Sequence, residues 1–237
     1  MASPAQRHRE RELARKLGAT SEAGLLVASG AIYDQFMAKL VIDRRRLHDI
    51  QSTERKIEAK TGLVLEYDDY IDGVLKGGTG AQDEVLSTLC IWNIDAGRFA
   101  RGLEIGAYLL THGIKLPERY KRSLHTALID EVADAMLAGK EPDPKKAFEI
   151  ADTTERLTSS FDAPDQARAK LFKVMGMALT ALSLPDGQDP QTDSTIDYAR
   201  RALESFERAL KLFSKVGVKK EIEVLQRRLK NYAGNPG

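Results

Sequence analysis

Residues 32–60 read IYDQFMAKLVIDRRRLHDIQSTERKIEAK, and their periodicity decides the fold class. Tyr33, Phe36, Leu40, Asp43, Leu47, Ile50, Glu54 and Ile57 fall on alternating steps of three and four residues, and six of these eight positions are apolar. That spacing lines one stripe of a long helix running from about Ile32 to Lys60, and such a stripe must be covered by another helix of the same chain or of a neighbouring subunit. Tyr33, Phe36, Leu40, Leu47, Ile50 and Ile57 are therefore candidate oligomerisation residues, with Asp43 and Glu54 as polar breaks able to set register. Pairing with residues 63–76 of the same chain would cover the stripe equally well.

Outward from this stretch, the chain contains no alternating Val/Ile/Thr runs and no Asn-Gly hairpin, so helices are expected throughout. On the N-terminal side, Ser3 and Pro4 are suited to start a helix and Gly18 to stop it, and residues 18–30 read as a flexible link. On the C-terminal side, Lys76-Gly-Gly-Thr-Gly80 reads as a turn, after which residues 80–138 hold three helices broken near Ala96-Gly97 and between Gly113 and Pro117. Gly97 permits a tight turn, the small residues Gly102 and Gly106 allow helices to approach, and Pro117 is placed to begin the next helix. Trp92-x-x-Asp95-x-Gly97, followed by Gly102 to Tyr108, resembles a tetratricopeptide hairpin. Residues 119–138 with 144–160, and 165–183 with 194–215, extend the pattern, and Lys219 to Lys230 closes it. The expected fold is all-α: a basic N-terminal helix and link (1–29), a long helical hairpin or coiled-coil-like segment (30–76), and tetratricopeptide-like antiparallel hairpins (80–232).

The 237 residues are 42% apolar and 30% charged, which excludes wholesale disorder. The net charge of +1 hides an uneven distribution: 12 basic and 8 acidic groups in residues 1–60, 11 and 19 in 61–165, and 13 and 8 in 166–237. Basic ends around an acidic middle permit nucleic-acid contact without making the whole chain adhesive, and would also suit head-to-tail self-association. Arg7, Arg9, Arg11, Arg15 and Lys16 crowd the first helix and Arg44, Arg45 and Arg46 the next, a density that phosphate contact would explain. There is no signal-peptide core and no membrane-length apolar stretch, so a cytosolic protein is expected.

Chemistry for catalysis is sparse. Lys76-Gly-Gly-Thr-Gly80 lacks the Lys-Ser/Thr ending of a phosphate loop. Asp68, Asp69 and Asp72 are a tight carboxylate cluster, but no second cluster or nearby histidine accompanies them, and a solvated acidic face is expected. His8, His48, His112 and His125 have no ligand spacing. Cys90 lies in an apolar run and reads as a core residue. No metal, cofactor or catalytic residue is assigned.

In order along the chain, Ser3-Pro-Ala-Gln-Arg-His8, the helix start from Tyr33 to Leu40, Gly80-Ala-Gln-Asp83, Trp92-x-x-Asp95, Leu103-Glu-Ile105, Arg168-Ala-Lys-Leu-x-Lys173 and Gly217-Val-Lys-Lys-Glu-Ile222 resemble the gpM-type terminase small subunits of temperate contractile-tailed phages. These landmarks span nearly the whole chain. The resemblance implies recognition of a cohesive-end site on concatemeric phage double-stranded DNA, assembly into a homo-oligomer such as a ring, and regulation of a large ATPase and nuclease subunit in the cytoplasm of a bacterial host. Members are sometimes called the terminase endonuclease subunit, which reads here as membership of a cleaving complex. The expected division of labour has the basic N-terminal helices on DNA, the stripe of residues 32–60 joining subunits, and the later hairpins docking the motor. The competing expectation is a helical-repeat protein-binding adaptor without DNA binding of its own, and a third is a metal-dependent nuclease using Asp68, Asp69 and Asp72.

Overall fold

The computed structural model describes residues 30–184 and 192–233, and within them the fold is all-α, with no β-strand. Ten helices follow in order: α1 (Ala31–Asp49), α2 (Thr53–Leu65), α3 (Asp68–Gly77), α4 (Glu84–Asp95), α5 (Phe99–Thr111), α6 (Leu124–Leu137), α7 (Pro144–Thr158), α8 (Asp165–Ser183), α9 (Asp193–Leu212) and α10 (Lys219–Ala233). None of these is long and apolar enough to cross a membrane. The expected basic helix with Arg7, Arg9, Arg11, Arg15 and Lys16, and most of the link after it, lie outside the described residues.

The long helix expected from Ile32 to Lys60 is two helices. Ile50 is extended, and Ser52 caps α2 by accepting the Arg55 backbone N–H at 3.3 Å. A short polar side chain ahead of Thr53 and Glu54 supplies an orphan N–H with an acceptor, and that local gain outweighs continuing the stripe. Pro117 likewise opens only a single 3-10 turn, Glu118–Tyr120, and α6 starts instead at Leu124 behind the Ser123 cap.

The centre is α4, buried at every position from Val85 to Ile94, as expected of a helix that is apolar all round. It packs against α1, α2, α5 and α6; further along, α6 meets α7 and α8, and α8 meets α7 and, most extensively, α9, with α10 laid on α9. One buried cluster runs from Leu40 to Ala178, and a second joins Leu179 and Phe206 to Val218, Ile222 and Leu225. Helices touch more than their sequence neighbours, and the contacts do not by themselves establish a tetratricopeptide repeat.

The small residues set the closest approaches. A methyl on Gly102 would lie 2.6 Å from the Ile94 side chain, and one on Gly106 would lie 3.1 Å from Leu128, so both glycines are needed where α5 meets α4 and α6. At the α8–α9 contact, a methyl on Gly176 would meet the Phe206 ring at 2.6 Å. Phe206 is itself 1% exposed and has no room to retreat. Gly176→Ala is therefore expected to destabilise the chain by about 1–3 kcal/mol through overpacking. Gly73 sits in α3, where a methyl group would meet nothing within 4 Å, and Gly73→Ala is expected to stabilise by about 0.5–1 kcal/mol through helix propensity. Urea midpoints of the two variants test the pair, and equal effects would contradict this packing.

Candidate nucleic-acid interface

Two buried carboxylates fix the platform on which the basic residues stand. Asp43 of α1 is 2% exposed and accepts from the Tyr67 hydroxyl at 2.7 Å, from Lys39 Nζ at 2.7 Å and from Arg46 Nη1 at 3.4 Å. Asp83, the N-cap of α4, accepts from the Tyr70 hydroxyl at 2.6 Å and from the Leu86 N–H at 2.8 Å. Tyr67 immediately precedes α3 and Tyr70 lies in its first turn, with Phe36 of α1 packed against both rings at 5.7 and 4.6 Å. A buried carboxylate without donors is costly, so these contacts set the rotation of α1 about its axis. Leu40 and Leu47 then face inward, while Arg45 and His48 face solvent and Arg44 lies half-exposed beside them.

Arg44, Arg45 and His48 border an open groove of about 520 Å³ whose other rim is Lys56 and Lys60 of α2 and whose floor includes Val41, Leu47 and Trp92. Arg44 Nη1 lies 3.5 Å from Glu84 Oε1, and the same carboxylate holds Arg119 from the loop before α6. Arg119 also donates to Thr88 Oγ1 at 2.6 Å. Lys60 pairs with Asp95, and Lys140 donates to the Asp95 backbone carbonyl at 3.0 Å. Glu84 and Asp95 are thus each bracketed by two cations, and their negative charge organises the basic groups without cancelling them. The loop is pinned by Gln82, whose side chain accepts the Lys115 N–H and donates to the Lys115 carbonyl, both at 2.9 Å. Tyr120 sits under Arg119, and burial pushes its hydroxyl up to about 12. Lys121, exposed and in the left-handed conformation, ends the 3-10 turn.

The three consecutive arginines do not act alike. Arg44 and Arg45 share the groove, but Arg46 turns toward Asp43 and a neighbouring hollow lined by Leu47, Ile50 and Leu63, as successive 100° steps around a helix require. Tyr33, Phe36, Leu40, Leu47 and Ile50 are engaged with the chain's own core, and Ile57 is half-buried on α2. What α1 leaves outward are Ile32 and Ile42, 68% and 58% exposed.

The carboxylate cluster lies at the surface, with two of its three members held by arginines, one in α5 and one just before it. Arg98 grips Asp68 in a two-pronged pair at 3.0 and 2.9 Å, and Arg101 engages Asp72 and, at 2.7 Å, Glu104. The Arg101 hydrogen bond holds the Asp72 carboxyl below its usual range. Asp69 is exposed, and among the described residues no group of three or more His, Cys, Asp or Glu is placed to hold a metal ion. Described histidines are dispersed: His48 is exposed, His112 lies against Tyr108 and His125 stacks on Phe161. Cys90 is fully buried, its thiol donating to the Gly102 carbonyl and pushed up to about 12 by burial.

Lys56, Lys60, His48, Arg119 and Lys121 were not singled out by sequence reasoning. The last two belong to the acidic middle of the chain, and regional charge concealed them. The signal was local: Lys115, Arg119, Lys121 and Arg122 against Glu118 alone.

Residues 37–166 match a family model described as the phage small terminase subunit. Over 230 residues, covering 97% of this chain and 87% of the relative, the sequence is 37% identical to the protein named terminase, endonuclease subunit, of Escherichia phage P2. No solved structure matches with significance.

The carboxylate platform makes a pH prediction. Burial first, and then the Asp43 and Asp83 carboxylates beside them, raise the Tyr67 and Tyr70 hydroxyls well above the ordinary value of 10.0. A folded value above the unfolded one means that this contribution to stability is complete below pH 10 and is lost as pH climbs past it. Both hydroxyls should therefore ionise only as the fold gives way. Tyrosinate absorbance at 295 nm, assigned with Tyr67→Phe and Tyr70→Phe, should rise for these two residues together with loss of far-UV helicity. Ionisation near pH 10 with helicity intact would remove the proposed rigidity of the platform. Tyr67→Phe is itself expected to cost about 1–2 kcal/mol, because the buried Asp43 carboxylate loses one of its donors while Lys39 and Arg46 remain.

Proposed function

The chain belongs to the phage small terminase subunit family, and from that premise we propose that it is the component of a packaging complex that recognises the cohesive-end site of concatemeric viral DNA. In this reading it works as a homo-oligomer in the host cytoplasm and regulates a large ATPase and nuclease subunit. The observation that carries the DNA contact is the groove on α1 and α2, where Arg44, Arg45, His48, Lys56 and Lys60 converge beside Arg119. Cations held at a fixed spacing on helices replace condensed counterions on a duplex, and release of those counterions drives binding. We propose a DNA contact also for the basic segment holding Arg7, Arg9, Arg11, Arg15 and Lys16, which precedes α1 in sequence and lies outside the described residues.

A single surface of this size binds weakly. Several copies on one duplex gain avidity of roughly 10²–10⁴-fold where geometry permits, which is the physical reason to propose an oligomer. With the inward stripe of α1 engaged in the core, subunit contacts would fall on its outward side, around Ile32 and Ile42. The later helices, including the apolar groove between α5 and α7 floored by Phe99, Leu103 and Ile150, are the proposed region for the large subunit.

The test is a salt series with a duplex carrying the cognate cohesive-end sequence and a scrambled duplex, with particle mass recorded in the same samples. Wild type should prefer the cognate duplex, with a steep negative slope of log affinity against log salt. Replacing Arg44, Arg45 and Lys56 by Gln should flatten that slope by about 2 to 3, at about 0.9 per lost phosphate contact. A well-folded wild type that binds neither duplex would instead favour an adaptor whose DNA specificity resides in the large subunit.

A further inference from the structure

From Arg208 to the end of the chain there are eight basic residues and two acidic ones, Glu221 and Glu223. In the folded chain this excess gathers where α9 turns into α10. Lys211, Lys215, Lys219 and Lys220 are all exposed around the turn, and Arg227 and Lys230 continue along α10. Lys173 of α8 reaches beneath the turn, its Nζ donating to the Val216 carbonyl at 3.2 Å.

Two features separate this surface from ordinary solvated charge. First, several basic side chains on the middle helices are held by carboxylates, Arg98 by Asp68, Arg101 by Asp72 and Glu104, Arg122 by Asp130 and Glu131, and Lys170 by Asp134, whereas exposed lysines there, such as Lys121 and the pair Lys145 and Lys146, stand apart from one another in the chain. Lys211, Lys215, Lys219, Lys220, Arg227 and Lys230 have no ion-pair partner among the described residues. Second, the scaffold beneath them is rigid. Val218, Ile222 and Leu225 are 0%, 9% and 1% exposed and anchor α10, and the turn is closed by backbone bonds from Phe213 to Ala209 and from Val216 to Phe213 at 2.9 and 3.0 Å. Lys220 and Arg227 are seven residues apart on one face, roughly 10 Å along the axis.

We propose that this face at the α9–α10 junction is a second contact surface for the phosphate backbone of double-stranded DNA, separate from the groove on α1 and α2. The proposal rests on the reading of the chain as a DNA-contacting subunit. Lysine is depleted at protein–protein interfaces, whose centres need apolar anchors, and around the turn Val218 is buried and Leu212, Phe213 and Val216 are partly covered, with no large apolar side chain fully exposed. Phosphate contact needs charge at spacing and no such anchor. The main contacts of α10 are with α9, and those of α9 are with α8 and α10, whereas α1 packs on α2 and α4. The two basic surfaces thus belong to opposite ends of the order of packing, with the carboxylate-rich helices between them. One subunit would hold two separate stretches of duplex, or one that bends around it.

The full-length protein is titrated with cohesive-end duplex across a salt series in four forms: wild type, the Arg44, Arg45 and Lys56 to Gln variant, a variant with Lys211, Lys215, Lys219 and Lys220 changed to Gln, and the same four changed to Arg. Far-UV circular dichroism and the thermal midpoint establish that each is folded. The Gln variant of the C-terminal four should bind at least tenfold more weakly at low salt with a slope flatter by about 2 to 4, and the Arg variant should bind as wild type does. Wild-type affinity and slope in the Gln variant, while the α1–α2 variant is weakened, would overturn this inference and leave the first surface standing. A change of particle mass with DNA binding intact would also overturn it, assigning the lysines to an acidic surface of a second copy. No binding by wild type at any salt would overturn the DNA reading itself.

Discussion

The way α1 presents its basic side chains depends on how two carboxylates are kept out of water. Asp43 and Asp83 are 2% and 1% exposed, in positions where an ionised oxygen without a donor would cost several kcal/mol. Tyr67 and Tyr70, three residues apart at the start of α3, deliver one hydroxyl to each. Because a tyrosine reaches only a fixed distance from its backbone, α3 becomes a spacer that holds α1 and α4 at a set separation and set rotation. Rotating α1 by one residue would strand Asp43, bury Arg44 and expose Leu40. The basic groove is thus a consequence of the polar bonds below it as much as of the arginines that line it.

The same constraint explains what could be read from the sequence and what could not. The helices from α4 onward follow from punctuation that acts locally: Gly97 and Gly113 with positive φ at turns, Asp83 and Ser123 as caps, Pro144 at the start of α7. The stripe from Tyr33 to Ile57 was legible as buried, but periodicity is blind to a three-residue break that preserves the count of apolar positions. Ser52 was the local sign, and it was overridden by the longer pattern. Asp43 was legible as a register-setting polar residue; that its partner is Tyr67 of the same chain was not, since nothing in sequence distance reveals that contact. The arginine partners of the acidic trio at residues 68–72 were missed for a related reason, because Arg98 and Arg101 lie about thirty positions away. In the candidate interface, Arg44 and Arg45 were legible from density, whereas Arg119 required knowing that its loop folds beside α1 on a shared Glu84.

A net charge of +1 would ordinarily argue against affinity for a polyanion. The net sum does not decide the matter, because the field at a surface is set by nearby charges more than by distant ones. Several acidic groups of the middle helices are paired with arginines and lysines on adjacent elements, and the field of the rest is screened beyond the Debye length of about 8 Å at physiological salt. Arg45 and Lys56 at the α1–α2 groove, and Lys211, Lys215, Lys219 and Lys220 at the α9–α10 turn, have no carboxylate partner among the described residues. On the proposed reading, a duplex at either surface would meet a local field set mainly by a handful of nearby cations.

The proposed reading also limits how tightly one subunit would hold DNA. Each surface is shallow and open, with few groups able to reach base edges, so sequence preference from a single copy would be small compared with its phosphate contacts. On the proposed reading, specificity would come from repetition: the spacing between copies would select where along a duplex the favourable contacts add up, and the rigid helices would carry that spacing from one surface to the other. Flexible basic tails could supply the same charge but not the same ruler. The buried tyrosine–aspartate bonds at one end and the packed Val218, Ile222 and Leu225 at the other convert loose positive charge into charge at fixed separation, which is the property that a site-selecting oligomer needs.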